Sequence, residues 1–560
     1  MEELIFCAAL AAFVLFVFVQ GYLNEKKEDK KFAQKLENLP GNKPDKEYKI
    51  ERFLRISAYF EKHPKDFQID DITWNDLDMD DLFKCMNYCL SSTGEEYLYY
   101  MLRTPEFEEE KLKHLDEVIE HYSSNPKERV AFQILMKKLG TTGKFSLYDY
   151  IDYLHQLPMR SNVKEIFRIL LVFVGIICMS VHLSTGILLV VAWMLFQIFD
   201  YYKKKGEIEA YTVSLAYIIR MLEIADKVEA VLPDICANER IAITESTKKL
   251  RKTRHGAFWL FNSGSSKTTG NPLDVIFDYL RMIFHLDLIA FYHMLGTFIH
   301  HQQDIDVLIT NMGYLESAIS IGLYRASLNN GYCKPEFSYD GMEVVEGYHP
   351  MIDKPVKNSI CEKGGVLLTG SNASGKSTFL KMLAINALTA QTIYTVSARK
   401  YNSAFCCLYS SMSLRDDLEN EESYFIVEIK SLKRILDQYG KNKIKILCFV
   451  DEVLRGTNTV ERIAASTQIL ESMNGAGIQC FAATHDIELT HLLEEHYANY
   501  HFEEEIKDGD VLFNYQLMKG RATTRNAIKL LEIIGYQEEV IQRARTQADI
   551  FLSEGIWKRP

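Results

Sequence analysis

No two of the eleven cysteines stand in a C-x2-C arrangement, which suits reduced thiols in a cytosolic setting rather than a disulfide framework. Basic residues are in deficit: 64 Lys+Arg face 76 Asp+Glu, a formal net charge of −12. That balance argues against coating nucleic acid through overall charge, and leaves room only for a local basic groove. Internal repeats and low-complexity tracts are absent. A mean hydropathy of −0.12 excludes a chain built mostly of membrane spans. What is present is ordinary globular composition, 47% hydrophobic and 25% charged over 560 residues. A length prior of ~100–200 residues per domain gives about three to five units.

Two apolar runs interrupt that composition. Leu4–Leu23 carries no charge over 20 positions, with Glu2 and Glu3 before it and Lys26, Lys27, Lys30 and Lys31 after it. A signal peptide shows the reverse polarity, so the flanks favour an uncleaved anchor over that alternative, with the following chain in the cytoplasm. Ile169–Phe199 is uncharged for 31 residues and is broken near Ser180–Gly186. One helix of that length would be ~46 Å long, too long for the hydrocarbon core unless steeply tilted. Two helices make a hairpin whose flanks, Arg160, Lys164 and Arg168 before it and Lys203, Lys204 and Lys205 after it, are both basic. Both ends then lie on the cytoplasmic side, and a buried soluble hairpin is the alternative.

Coarse periodicity divides the rest. Residues 25–69 read as a charged linker, and 70–165 and 203–330 carry mostly helical apolar spacing, as at Leu286, Ile289, Ala290, His293 and Met294. The segment 166–202 is the apolar hairpin, inserted between the helical parts. From 331 to 515 short β-rich runs alternate with helical segments, the pattern of a parallel α/β sheet, and 516–560 follows as a C-terminal segment.

The sharpest chemistry is Gly370-Ser-Asn-Ala-Ser-Gly375-Lys376-Ser377, a G-x-x-x-x-G-K-[ST] loop between an apolar strand and a helical run. Its glycines let backbone N–H groups turn toward phosphates, Lys376 supplies a point charge, and Ser377 supplies a hydroxyl to Mg²⁺. A second apolar strand, Ile446–Val450, ends in Asp451 and Glu452. Asp451 is placed for the metal shell, and Glu452 for the general base that polarises water. A third, Cys480–Thr484, ends in His485, whose imidazole is placed to reach the γ-phosphate or the water. His491–His496 fits neither H-E-x-x-H nor H-x-x-E-H and reads as a solvated helix face.

In this order the motifs resemble the MutS mismatch-repair ATPase family. Glu346-Gly-Tyr-His349-Pro350 resembles the turn ahead of its ATPase strand, and Thr369–Thr378 its phosphate loop, Asn372 included. Asp416–Leu418 with Ser423–Glu428 resembles the segment that reaches the neighbouring subunit's nucleotide. Asp451–Thr459 and Ala483–Thr490 are similar to the Asp-Glu strand and the His switch, and Asn526–Ala544 to the C-terminal helix-turn-helix used for dimer contact. More weakly, Asp76–Phe83, Ser92–Gly94 and Tyr97–Pro105 resemble the start of the helical core, and Leu308–Leu323 the lever helix.

The resemblance implies an α-helical core and lever followed by an α/β P-loop ATPase of the ABC type, here with N-terminal and internal transmembrane helices. It implies a homodimer binding ATP and Mg²⁺ through Gly370, Asn372, Gly375, Lys376, Ser377 and Thr378, with Ser423 completing the partner's site. Ser377 and Asp451 are the expected metal ligands, and Glu452, His485 and Lys376 the expected catalytic groups. There are departures. An anchor and a linker stand where the mismatch-reading and connector domains precede the family's core. Phe107-Glu-Glu109 and Phe502-Glu-Glu504 match its Phe-x-Glu reading motif in letters only, and the adenine-stacking aromatic is replaced near Pro355–Asn358.

Two functions follow as expectations. One is a membrane-anchored ATPase that still holds DNA, meeting phosphates through Lys248, Lys249, Arg251, Lys252 and Arg254. The bland reading of that cluster is a solvated helix end or a contact to anionic headgroups. The other is an ATP-switched clamp acting on a protein or membrane partner without DNA. A transporter is disfavoured, because an LSGGQ-like stretch and enough spans for a pathway are both missing.

Overall fold

The computed structural model describes residues 20, 23–24, 26–143, 146–156, 162–251, 279–371, 374–412, 424–441, 443–454, 457–507, 510–522, 527–555 and 557. The chain divides into two compact units. The first takes Met1–Pro64, Phe83–Met101 and His114–Ser327, and the second takes Lys65–Leu82, Leu102–Lys113 and Leu328–Pro560. The anchor expected at Leu4–Leu23 lies outside the described residues apart from Gln20 and Leu23.

The first unit is helical. Its central helix, Gln302–Ser327, buries Ile305, Leu308, Met312, Leu315 and Ile319, three or four positions apart, as a core-facing stripe. Gly313 is where the neighbouring helix Ser92–Arg103 approaches: a Cβ there would lie 2.6 Å from Tyr97 Cβ and 2.8 Å from the Thr93 carbonyl. Glu316 then meets the start of that helix. It accepts from the Leu90 N–H at 2.5 Å, the Ser91 N–H at 3.2 Å and the Ser91 hydroxyl, supplying backbone groups that a helix start leaves without partners. Arg325, nearly fully buried, donates to Asp116 at 2.7 Å and Glu120 at 3.2 Å.

Burial outweighs those hydrogen bonds and pushes the Glu316 carboxyl up to about 7. The native state therefore holds a proton that the unfolded chain releases from about pH 4.5 upward. This contribution to stability is fully present below pH 4.5 and is lost as pH rises through 7. Glu316→Gln is expected to flatten this part of the stability profile between pH 4.5 and 7, read from urea midpoints across that range. An undiminished slope in the variant would assign the dependence to other carboxyls.

The apolar run forms two helices, Val163–Val181 and Leu183–Val231, broken at His182. They pack through glycine: a Cβ on Gly186 would lie 2.4 Å from the Met179 N, and one on Gly175 2.7 Å from Val190 Cγ2. Close backbone approach at small residues is how apolar helices associate without a hydrophobic drive. The second helix changes character along its 49 residues. Leu188 is 70% and Phe199 75% exposed, whereas Leu215, Ile218 and Leu222 are fully buried. Leu183–Gly206 is long and apolar enough to cross a membrane, the single such helix among the described residues. The helix ends at Val231, where Leu232 is extended ahead of Pro233.

At the foot of the hairpin Lys204 joins Glu165 at 2.5 Å and Asp200 at 2.7 Å, Arg168 also pairs with Asp200, and His285 Nδ1 lies 2.9 Å from Glu165. Glu165, Asp200 and His285 have the spacing of metal ligands. Two protein cations already occupy the carboxylates, and His285 Nε2 is taken by the Gln197 carbonyl at 3.0 Å. The group is a self-neutralised network.

The second unit is α/β. Six strands run in the order β5 (Cys406–Ser411), β6 (Lys445–Asp451), β7 (Gln479–Ala483), β3 (Gly365–Thr369), β8 (Tyr497–Lys507) and β9 (Asp510–Lys519). The first five are parallel, and β9 returns antiparallel on β8. A smaller antiparallel sheet has the order β2 (Asn358–Glu362), β1 (Met342–Gly347) and β4 (Lys400–Ser403). β3, β5 and β7 are buried at every position, as strands of a parallel sheet covered on both faces must be.

Lys65–Leu82 and Leu102–Lys113 pack in this unit, although the apolar spacing reads 70–165 as one helical segment. The cause lies at the edge strand. Asp76, at the end of helix Asp71–Asp76, accepts from the Ser410 hydroxyl at 2.7 Å and the Met412 N–H at 2.8 Å, and the Ser410 N–H donates to Thr73. These bonds cover the open edge of β5.

Candidate nucleotide site

The site lies at the carboxyl ends of the adjacent strands β6, β7 and β3, where open α/β sheets place their ligands. β3 runs straight into the glycine loop, and helix Lys376–Ile393 leaves it. Gly370 has φ +147 and Gly375 φ +102, a region that side chains rarely adopt. Space is limiting as well: a Cβ on Gly370 would lie 2.9 Å from the Phe502 carbonyl, and one on Gly375 3.0 Å from the Tyr515 ring.

Lys376 is buried and folds over its own loop, donating to the Gly370 carbonyl at 2.8 Å and the Ser371 carbonyl at 2.9 Å. Its Nζ is also 3.4 Å from His485 Nε2. That nitrogen lies 3.0 Å from Glu452 Oε1. Lys376, His485 and Glu452, three residues far apart in sequence, thus meet at one point. Glu452 stands in the left-handed region at φ +64, as does Leu454 at φ +59. The turn is tied down by Glu452 N–H to the Ala483 carbonyl at 3.0 Å, Ser466 Oγ to the Val453 carbonyl at 3.1 Å, and Leu454 N–H to buried Glu428 at 2.6 Å. Left-handed non-glycine residues persist where the surroundings over-determine them, and they cluster at functional sites.

A cavity of about 530 Å³ opens beside these groups. Ser377, Thr378 and Asp451 line it, with the Ser377 and Thr378 side chains exposed. Glycine cradle, lysine, hydroxyl and strand-end carboxylate together fit a phosphate chain with a divalent cation. Asn372 and Ser423 lie outside the described residues. The lining also has apolar and aromatic members, Val356, Met382 and Tyr515. Burial, helped by the nearby Lys381 charge, pulls the His349 imidazole down to about 4, so this lining residue is neutral at pH 7.

Residues 366–551 match the family model described as MutS domain V. That third of the chain, 186 of 560 residues, is of the MutS domain V family. It is 34% identical over 240 residues to the DNA mismatch repair protein MutS of Thermotoga maritima, which is 40% of this chain and 29% of that protein. The MutS of Thermus thermophilus is 30% identical over 235 residues, 41% of this chain and 28% of the relative. That of Bacillus licheniformis is 33% identical over 234 residues, 39% and 26%. The chain thus spans under a third of the length of these MutS relatives.

Several groups at this MutS-type site escape a reading by motif. Tyr515, on the β9 hairpin strand, reaches Gly375 across 140 residues of sequence. Its carbonyl accepts from Asn358 Nδ2 at 3.0 Å, and the Leu517 N–H donates to Asn358 Oδ1 at 2.8 Å, fixing the strand beside the loop. Glu504 on β8 accepts from the Ser371 hydroxyl. The only signal for either in the sequence is an aromatic or acid in a β-rich run. The basic cluster is divided. Lys248, Lys249 and Arg251 are exposed at the end of helix Ala237–Leu250, where cations suit the helix dipole, and Lys249 pairs with Asp304 at 2.8 Å. Lys252 and Arg254 lie outside the described residues.

Proposed function

We propose that the chain is a membrane-held, MutS-type ATPase that binds Mg·ATP at the β3 loop and hydrolyses it. The convergence of Lys376, His485 and Glu452 within 3.4 Å carries this reading. Lys376 turns from the loop carbonyls to the β- and γ-phosphate oxygens, and loop N–H groups, Asn372 included, cradle the rest. Ser377 and Asp451 would hold Mg²⁺, which supplies charge neutralisation at the phosphates. Glu452 takes a proton from the attacking water, and His485 orients that water against it. Tyr515, with Val356 and Met382, offers the base a stacking surface in place of the aromatic missing from Pro355–Asn358.

A second copy completes the site through Ser423, and 526–544 supply the dimer contact. The exposed apolar hairpin supports a membrane-held protein, its basic ends keeping the ATPase and helical core in the cytoplasm.

The relatives are named as mismatch repair proteins, and DNA is the first candidate for the partner, met through the 248–254 cluster. The second reading is a clamp on a protein or membrane partner, favoured by the Lys249–Asp304 pair, which spends one of the cluster's charges internally. ATPase rate in detergent or nanodiscs, with and without duplex DNA at several salt concentrations, separates them. Stimulation that fades with added salt supports DNA. Turnover indifferent to DNA, with no binding at low salt, supports the clamp. Absence of any ATP turnover overturns both.

A further inference from the structure

We propose that Arg462 is a positioning residue for the Glu452–His485 pair, acting through Asp486. Arg462 sits in the first turn of helix Thr459–Gly475 and grips Asp486 with both arms of its fork, Nε to Oδ2 at 2.8 Å and Nη2 to Oδ1 at 2.6 Å. Asp486 directly follows His485, and its own N–H donates to the Thr484 hydroxyl at 3.0 Å. The fork therefore fixes the backbone from which the imidazole hangs. One turn further along the same helix face, Ser466 donates to the Val453 carbonyl at 3.1 Å, next to Glu452. A single helix thus holds both halves of the pair: Arg462 sets the histidine side and Ser466 the glutamate side. The 3.0 Å separation between His485 and Glu452 is the distance that this arrangement fixes.

The fork is not a core contact. The buried residues of that helix are Ser466, Thr467, Leu470 and Met473, while Arg462 and Asp486 keep side-chain exposures of 24% and 12%. Removing Arg462 accordingly leaves the packing of the helix in place and frees the strand end that carries His485. The guanidinium supplies a planar fork that matches the carboxylate, which the single ammonium of a lysine does not reproduce, and its charge also acts on Glu452.

This inference rests on the ATPase reading, and the experiment separates the two. Steady-state ATP turnover and ATP affinity are measured on the full chain in detergent for wild type, Glu452→Gln, Arg462→Ala, Arg462→Lys, Asp486→Ala and the Arg462→Ala/Asp486→Ala double variant. Thermal unfolding of each variant serves as the check on folding. A misplacement of about 1 Å costs on the order of 10²-fold in rate. Arg462→Ala is therefore expected to lower kcat by roughly 10- to 100-fold with ATP affinity unchanged. Arg462→Lys is expected to fall between, Asp486→Ala to match Arg462→Ala, and the double variant to lose no more than either, because the two residues act as one unit. Unchanged kcat in Arg462→Ala, a parallel loss of ATP affinity, or losses that multiply in the double variant would each overturn the positioning role while Glu452-dependent turnover stands. Wild-type turnover that is indifferent to Glu452→Gln would overturn the ATPase reading, and this role with it.

Discussion

Replacing Glu452 by Gln is expected to slow ATP turnover by about 10²–10⁴-fold, the usual worth of general-base assistance, while ATP is still bound. The expectation rests on where the chain puts the carboxylate. Glu452 follows the last residue of a fully paired strand and turns at once into the left-handed region, so its side chain points over the glycine loop rather than along the sheet. A left-handed non-glycine residue costs of order 1–3 kcal/mol, and the bonds to Ala483, Ser466 and Glu428 hold it there. Glutamine has the same shape and keeps a hydrogen-bonding atom toward His485, so the turn survives and only basicity is lost. Single-turnover hydrolysis, with protein in excess over pre-bound ATP, isolates that step. A rate within twofold of wild type would remove Glu452 from the proton transfer and leave His485 as the group to test.

What could be read from the sequence follows the range of each interaction. The glycine loop, the Asp-Glu strand and the His strand are each contiguous, and each declares itself by a run of apolar residues ending in a polar group. Their adjacency in the sheet is a different matter: β3 lies between β7 and β8 rather than beside its neighbour in sequence, an order that no local pattern specifies. The hairpin, like the motifs, was legible, because its break at His182 falls where the uncharged run turns polar. Its second arm is longer than the apolar run that declares it. Leu183–Val231 continues far past Phe199 because burial of Leu215, Ile218 and Leu222 takes over once the exposed apolar part ends.

Other features depend on partners far away in the chain. Asp76 and Thr73 look like surface residues of a short acidic helix until β5 is beside them. Arg462 looks like a solvated helix residue, Asp486 like a helix cap, and Tyr515 like one more strand aromatic. Each acquires a role only from a neighbour that no local pattern specifies: Asp486 for Arg462, His485 for Asp486, and Gly375 for Tyr515.

The second large effect is expected at the hairpin. Leu188 and Leu195 stand seven residues apart on one face of Leu183–Val231, 70% and 64% exposed. The first arm presents Phe167, Leu170 and Phe173 in the same way. So much exposed apolar surface in two adjacent helices requires a cover, and the ends of the hairpin say which. Lys164, Lys203 and Lys205 lie at its foot, close to the self-neutralised network of Glu165, Arg168, Asp200 and Lys204, an arrangement that suits a boundary between hydrocarbon and anionic headgroups. An Asp at the centre of a membrane helix costs about 2.5–3.5 kcal/mol. Leu188→Asp together with Leu195→Asp should then cost up to about 5–7 kcal/mol, or at most roughly 10⁴–10⁵ in partitioning. Flotation with vesicles containing an anionic lipid reads this directly, using a version lacking residues 1–24 so that the first apolar run does not hold the protein by itself. Wild type is expected to float and the double variant to remain at the bottom, with ATP turnover in detergent equal for both because the substitutions lie in the other unit. Wild type that stays at the bottom would mean that the hairpin is covered by protein, with a second copy of the chain the first cover to test, and flotation that survives both aspartates would take the membrane hold away from this helix face.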